Sequence, residues 1–137
     1  MGLNEKEREE IVKFRLEKAK NTFAEVPVQM ENKFYRTAAN RLYYACYYAV
    51  TALLINDGNE AHTHSGVKTL LGLHYISNSK MEKTLGKMYR QLFNLRQTGD
   101  YEDWVTIEEE DIQPFIAPAK QFISTIEGLI FPSNNKQ

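Results

Sequence analysis

The sequence predicts an all-α fold, an up-and-down bundle of four main helices plus one short helix. Apolar residues recur at steps of three and four through every long segment, and no segment alternates with the period of two that a half-buried strand requires. Helix-start residues (Asn4, Ser79 and Thr106) precede three of the patterned stretches, each with an acid three positions on. The 137 residues, 42% hydrophobic and 26% charged with 7 Gly and 4 Pro, have the size and composition of a globular chain able to bury its own core. One domain over residues 1–137 is expected, with the polar tail from about 132 to 137 frayed.

In the first segment, from Asn4 to about Val26, the apolar residues Ile11, Val12, Leu16, Ala19, Phe23 and Val26 form one face of a helix. Asn4 and Glu7 suit a capping box, and Pro27 is expected to end the helix, because the residue before proline avoids the helical region. A longer helix runs from roughly Met30 to Ile55, with Gly58 placed for a left-handed cap. A short third helix covers about Ser65 to Tyr75, entered through His64-Ser65-Gly66 as a turn or capping element. The fourth starts from the Ser79/Glu82 pair and runs through Leu85, Met88, Tyr89, Leu92 and Leu95 to Gly99. The last follows Thr106/Glu109 and ends near Phe131-Pro132. Pro114 and Pro118 predict a break or kink around residues 111–118, since each removes a backbone donor.

The bulk numbers narrow the function classes. One cysteine, Cys46, within an apolar helical pattern excludes an intrachain disulfide and reads as a buried thiol. No apolar run is long enough to span a membrane, and the first residues hold no signal-peptide h-region, so a cytoplasmic location without membrane attachment is expected. Net charge is −1, from 17 basic and 18 acidic residues. Contact with nucleic acid, which rests on Lys and Arg against phosphate, must then be local. His62 and His64 stand two apart, but no Cys or further His completes a ligand set, so neither a metal nor a cofactor is expected. Phosphate-cradling glycine loops and nucleophile elbows are absent.

Two groups of residues remain. On the second helix, positions 36, 40, 43/44 and 47 share one stripe, which brings Arg36, Asn40 and Tyr44 together, with Arg41 alongside. Core packing explains single tyrosines, but a stripe holding Arg and Asn needs partners, a cleft or another subunit. The second group is "NLRQTGDYEDW", residues 94–104. Arg96 in a last helical turn is favoured by the helix dipole alone. Asp100 is spaced to pair with it, and Tyr101 adds a hydroxyl.

"AANRLYYACYYAVTALL", "DG", "HSGV", "LRQTGDY" and "APAKQFISTI", in that order over about residues 8–131, resemble the HEPN domain, particularly its small stand-alone prokaryotic members. The resemblance implies a helical bundle that dimerises, with a cleft at the interface lined by the end of the penultimate long helix. It also implies a minimal nucleotidyltransferase as a partner, often in a toxin–antitoxin pair. Many such proteins are metal-independent ribonucleases carrying an arginine followed, after four to six residues, by a histidine. Arg96 fits the arginine, but Tyr101 stands where the histidine is sought, and no histidine follows it. The Arg…Asp-Tyr ending resembles a separate branch of the family.

The expected function is a homodimeric binding module with a cleft for a nucleotide, RNA or a partner nucleotidyltransferase, lined by Arg36, Asn40, Arg41, Tyr44, Arg96 and Tyr101. The alternative is a ribonuclease toxin using Arg96, Asp100, Tyr101 and His64. A third reading treats the same residues as helix-locking bonds in a purely structural interaction domain. Tyrosine rarely titrates near neutral pH and histidine does, so binding without efficient cleavage is the expectation. Tyr101 is expected to turn inward against Asn40 and Tyr44, and Arg96 to pair with Asp100. Dimerisation is expected from 8 Tyr, 7 Phe and 1 Trp, more large rings than a small core readily hides.

Overall fold

The computed structural model describes residues 3–132. It is all-α: α1 Glu5–Glu31, α2 Tyr35–Asn56, α3 His64–Leu71 running into a π-helical turn Gly72–Ile76, α4 Lys83–Tyr101 and α5 Glu109–Ile130. Among the described residues no strand is present. The expected fraying of the tail falls, beyond Pro132, outside the described residues.

The central element is α2, which packs against α1, α3, α4 and α5. Its composition explains the position. Ala38, Ala39, Ala45, Ala49 and Ala52 are buried, and such small side chains let neighbouring helices approach closely, while Leu42, Tyr43, Val50 and Leu53 fill the space between them. One contiguous hydrophobic cluster joins Val12, Leu16 and Ala19 of α1 to Leu85, Tyr89 and Leu92 of α4 and Ile112, Phe122 and Ile126 of α5. Tyr89 and Phe122 stack with centroids 5.4 Å apart.

Several helix ends differ from the sequence expectation, for local reasons. The Asn4/Glu7 capping box forms as expected. Pro27, however, does not end α1: its side chain faces solvent, and the helix continues to Glu31. The turn into α2 is made instead by Asn32 and Lys33, the latter at φ 61°, so α2 starts at Tyr35 rather than near Met30. Gly58 does adopt φ 82°, and the amides of Gly58 and Asn59 reach Ile55 O and Leu54 O, closing α2 in a Schellman arrangement. Thr63, not the His64-Ser65-Gly66 element, caps α3, its Oγ1 accepting from Gly66 N at 2.8 Å.

Ser79 does not cap α4 either. It lies in a turn at φ 66°, and Glu82 occupies the cap position. At the start of α5 the capping box is Glu108/Asp111, two residues beyond the Thr106/Glu109 pair. No break follows: α5 is one uninterrupted helix with Pro114 and Pro118 inside it. The carbonyls those prolines leave without a helical donor belong to Glu110 and Pro114, both exposed residues, so the lost bonds lie on the solvent side of the helix. Gly99 is not a cap, since α4 continues through it to Tyr101.

The chain leaving α4 is held by one side chain. The Arg36 guanidinium donates to the carbonyls of Gly99 and Val105, and at longer range to Glu102 O (3.2 Å) and Asp103 O (3.4 Å). A single planar cation thus caps the C-terminal end of α4 and folds the 102–106 segment against α2. Arg36→Ala is expected to lower unfolding free energy by about 3 kcal/mol, because several half-buried carbonyls lose their donor together. Urea denaturation measures this, and amides of residues 99–106 are expected to lose hydrogen-exchange protection ahead of the rest.

Candidate functional site

The middle of α2, the last turns of α4 and the first residue of α3 meet in one polar cluster. Arg96 lies at its centre with only 4% of its surface exposed. A guanidinium cannot shed its charge in a protein, so its burial requires compensation. Asp100, one turn on, supplies it: Arg96 Nη1 stands 3.3 Å from Asp100 Oδ2, the pairing the spacing predicts. The guanidinium also lies over the rings of Tyr43 (4.8 Å), Tyr44 (5.4 Å) and Phe93 (5.8 Å). Burial works against the charge, but Tyr44, Asp100 and Tyr43 outweigh it and raise the pKa.

Asp100 is shared. Asn40 Nδ2 donates to its Oδ2 at 3.1 Å, and Asn40 Oδ1 in turn accepts from Arg41 Nε and Nη2 at 3.2 and 3.1 Å. Arg41 rests 5.5 Å from the Tyr44 ring. Two guanidinium groups therefore converge on one carboxylate, Arg96 directly and Arg41 through the Asn40 amide, and the cluster keeps a net positive charge.

His64 enters from α3. Its Nδ1 is 2.8 Å from the Tyr43 hydroxyl and its Nε2 is 3.4 Å from that of Tyr44, while its ring packs on Tyr47 at 4.4 Å. Burial and then the charge of Arg96 lower the imidazole pKa, which keeps it neutral near pH 7. A neutral imidazole has one donor and one acceptor nitrogen, which suits one phenol on each side. Burial pushes the Tyr43 phenol up to about 12, so it stays protonated.

Asn40, Arg41, Tyr44, Arg96, Asp100 and His64 are thus brought together. Arg36 is not part of this cluster, because its donors are committed to the carbonyls beyond α4. Tyr101 does not turn inward. It is 70% exposed, since α4 runs on past Gly99 and carries residue 101 about 100° around the helix from Asp100, away from Asn40 and Tyr44. Sequence reasoning put Tyr43 and Tyr47 on the α2 stripe but not beneath Arg96 and His64, and it missed Phe93. Their helical spacing from Asn40 and from Arg96 was the available signal. Phe14, Phe34 and Trp104 also remain exposed, at 63%, 60% and 81%.

This helical bundle, with an arginine–aspartate pair set against a tyrosine-rich central helix, corresponds to a known class. The HEPN domain model matches residues 12–129, so the chain belongs to the HEPN family. It is 36% identical to a "UPF0332 protein" of Thermotoga maritima, over 90% of this chain and 94% of that protein. It is 32% identical to a provisionally named toxin of Methanocaldococcus jannaschii, over 91% of this chain and 92% of that one. A second provisionally named toxin of that organism is 25% identical over 87% of this chain and 81% of its own length. Among the described residues no helix is long and apolar enough to cross a membrane.

Two tests follow from the electrostatics. Asp100→Ala leaves the Arg96 guanidinium without its acceptor and is expected to destabilise the fold by about 3 kcal/mol in denaturant titrations. The depressed His64 pKa makes the unfolded chain bind the imidazole proton first as pH falls, so stability is lost below the usual histidine value of about 6.5. Thermal midpoints of the wild type are expected to fall over that range, and those of His64→Gln to fall less.

Proposed function

We propose that this protein is a phosphate-binding HEPN module acting in a toxin–antitoxin pair. It works as a homodimer whose cleft takes a nucleotide or RNA, or docks a minimal nucleotidyltransferase. The observation that carries the reading is the bonding of Arg96. Its Nη1 serves Asp100, while its Nε is buried and has no acceptor among the described residues. A buried donor without a partner is rare and costly; it is closed off from solvent, so a phosphate oxygen reaches it only when the tyrosine rings over the guanidinium move aside. The surplus positive charge of Arg41 favours the same ligand. The provisional toxin names of two relatives support the physiological setting.

A second reading, metal-independent RNA cleavage, is favoured by the position of His64. The family's ribonuclease histidine follows the arginine in sequence, whereas here a neutral imidazole reaches, from α3, the two phenols on which Arg96 lies. An imidazole in that state suits a general base. Tyr101 would serve such a reaction only from the outer surface of α4.

Arg96→Ala is expected to weaken binding of a single-stranded oligoribonucleotide by at least tenfold in fluorescence anisotropy, while the wild type sediments as a dimer at micromolar concentration. Unchanged affinity, or a monomer, rejects the corresponding half of the proposal. For cleavage, labelled RNA incubated in EDTA from pH 5 to 9 is expected to remain intact. Cutting that disappears in His64→Ala establishes the second reading instead.

A further inference from the structure

The tyrosine stripe continues beyond the Arg96 cluster. From Asn40 to Thr51 it extends roughly 16 Å along α2, more than one phosphate occupies. At its far end a groove of about 300 Å³ opens between α1, α2 and the 59–67 segment, lined by Arg15, Tyr47, Thr51, Asn59 and His62 among others. That volume is at the lower end of small-ligand sites.

The polar half of the lining is suited to an anion, and Leu54, Ile55 and Val67 on the apolar half offer a surface to a base. Arg15 has no carboxylate within 4 Å among the described residues. The only acid on the groove wall is Glu60, whose side chain is 82% exposed and stands 3.8 Å from His62. Tyr47 belongs to both sites: it lines the groove, and its ring packs on His64 at 4.4 Å and lies 5.7 Å from that of Tyr44. Beside it Lys18 sits over the Tyr48 ring at 4.6 Å. Half-exposed rings alternating with cations form the kind of surface that holds single strands by stacking and phosphate contact.

We infer that the Arg15–Tyr47 groove is a second subsite, which takes the nucleotide next to the one whose phosphate Arg96 holds. It rests on the phosphate reading of Arg96, and it makes the ligand a single-stranded oligonucleotide rather than a mononucleotide. Arg15 contacts the second phosphate, and Tyr47 separates the two subsites as a stacking surface.

The test compares UMP with a uridine tetranucleotide, by calorimetry, on the wild type, Arg96→Ala, Arg15→Gln and Tyr47→Phe. Arg96→Ala is expected to weaken both ligands. Arg15→Gln is expected to weaken the tetranucleotide about tenfold more than UMP, and to reduce the slope of log K against log salt by about 0.7, one single-strand phosphate contact. Tyr47→Phe keeps the ring and is expected to retain most of the tetranucleotide affinity, which separates stacking from collapse of the fold. If Arg96→Ala weakens both ligands while Arg15→Gln affects them equally, the second subsite is rejected and the Arg96 reading stands. If Arg96→Ala changes neither, both fall. If Arg15→Gln instead dissociates a dimer and leaves the tetranucleotide affinity intact, the groove belongs to the interface between copies and the inference is overturned.

Discussion

The structure depends on keeping one permanently charged side chain inside a helical bundle. Arg96 is almost fully buried and always protonated, so every neighbour must be compatible with a cation. Asp100 neutralises it through the i, i+4 geometry of α4, three aromatic faces supply quadrupolar stabilisation, and Asn40 holds Asp100 in place from the facing helix. A hydrophobic residue at 96 would satisfy the same volume without any of these partners. A cation is retained there although its Nε has no acceptor among the described residues.

Helical periodicity made much of this legible. The four-residue spacing of Arg96 and Asp100 gave their pairing, and the stripe 36, 40, 43/44, 47 gave the face of α2 that meets them. What periodicity cannot give is where a helix stops. Gly99 looked like a terminus because glycine favours caps, yet the Arg36 guanidinium satisfies the carbonyls beyond it, so α4 continues and Tyr101 is carried outward. The prolines of α1 and α5 misled in the same way. The bonds lost in α5 lie on exposed residues, and burial of the other faces of α1 and α5 holds both helices together. Local signals were overruled wherever a long-range partner or solvent took up the freed backbone group.

The histidine illustrates a different limit. Read along the chain, the site lacks the residue that follows the arginine in ribonuclease members of the family. Read in space, His64 arrives 32 residues earlier in sequence, at the start of a short helix whose Thr63 cap fixes its entry. Its two nitrogens lie against phenols, which orient the ring, while burial and then the charge of Arg96 lower its pKa. That arrangement provides a base close to the arginine without an equivalent acid beside it, since the Tyr43 phenol holds its proton too tightly to exchange it near neutral pH.

Charge also gives the cluster a direction. Beyond the end of α4, Glu108, Glu109 and Glu110 crowd the α2 N-terminus closely enough that, after desolvation, they push the Tyr35 phenol up. Asp103 lines the same surface. Lys33 and Arg36 line that surface as well, but the Arg36 donors are occupied by carbonyls, so the acids outnumber the cations left to meet an anion there. On the other side lie Arg41, Arg96 and Arg15, joined by Tyr44, His64 and Tyr47, with two carboxylates beside them: Asp100, already engaged by Arg96 and Asn40, and the exposed Glu60 near His62. A chain near electrical neutrality thus still carries a locally positive face, because its charges are sorted along α2 rather than spread evenly over the molecule.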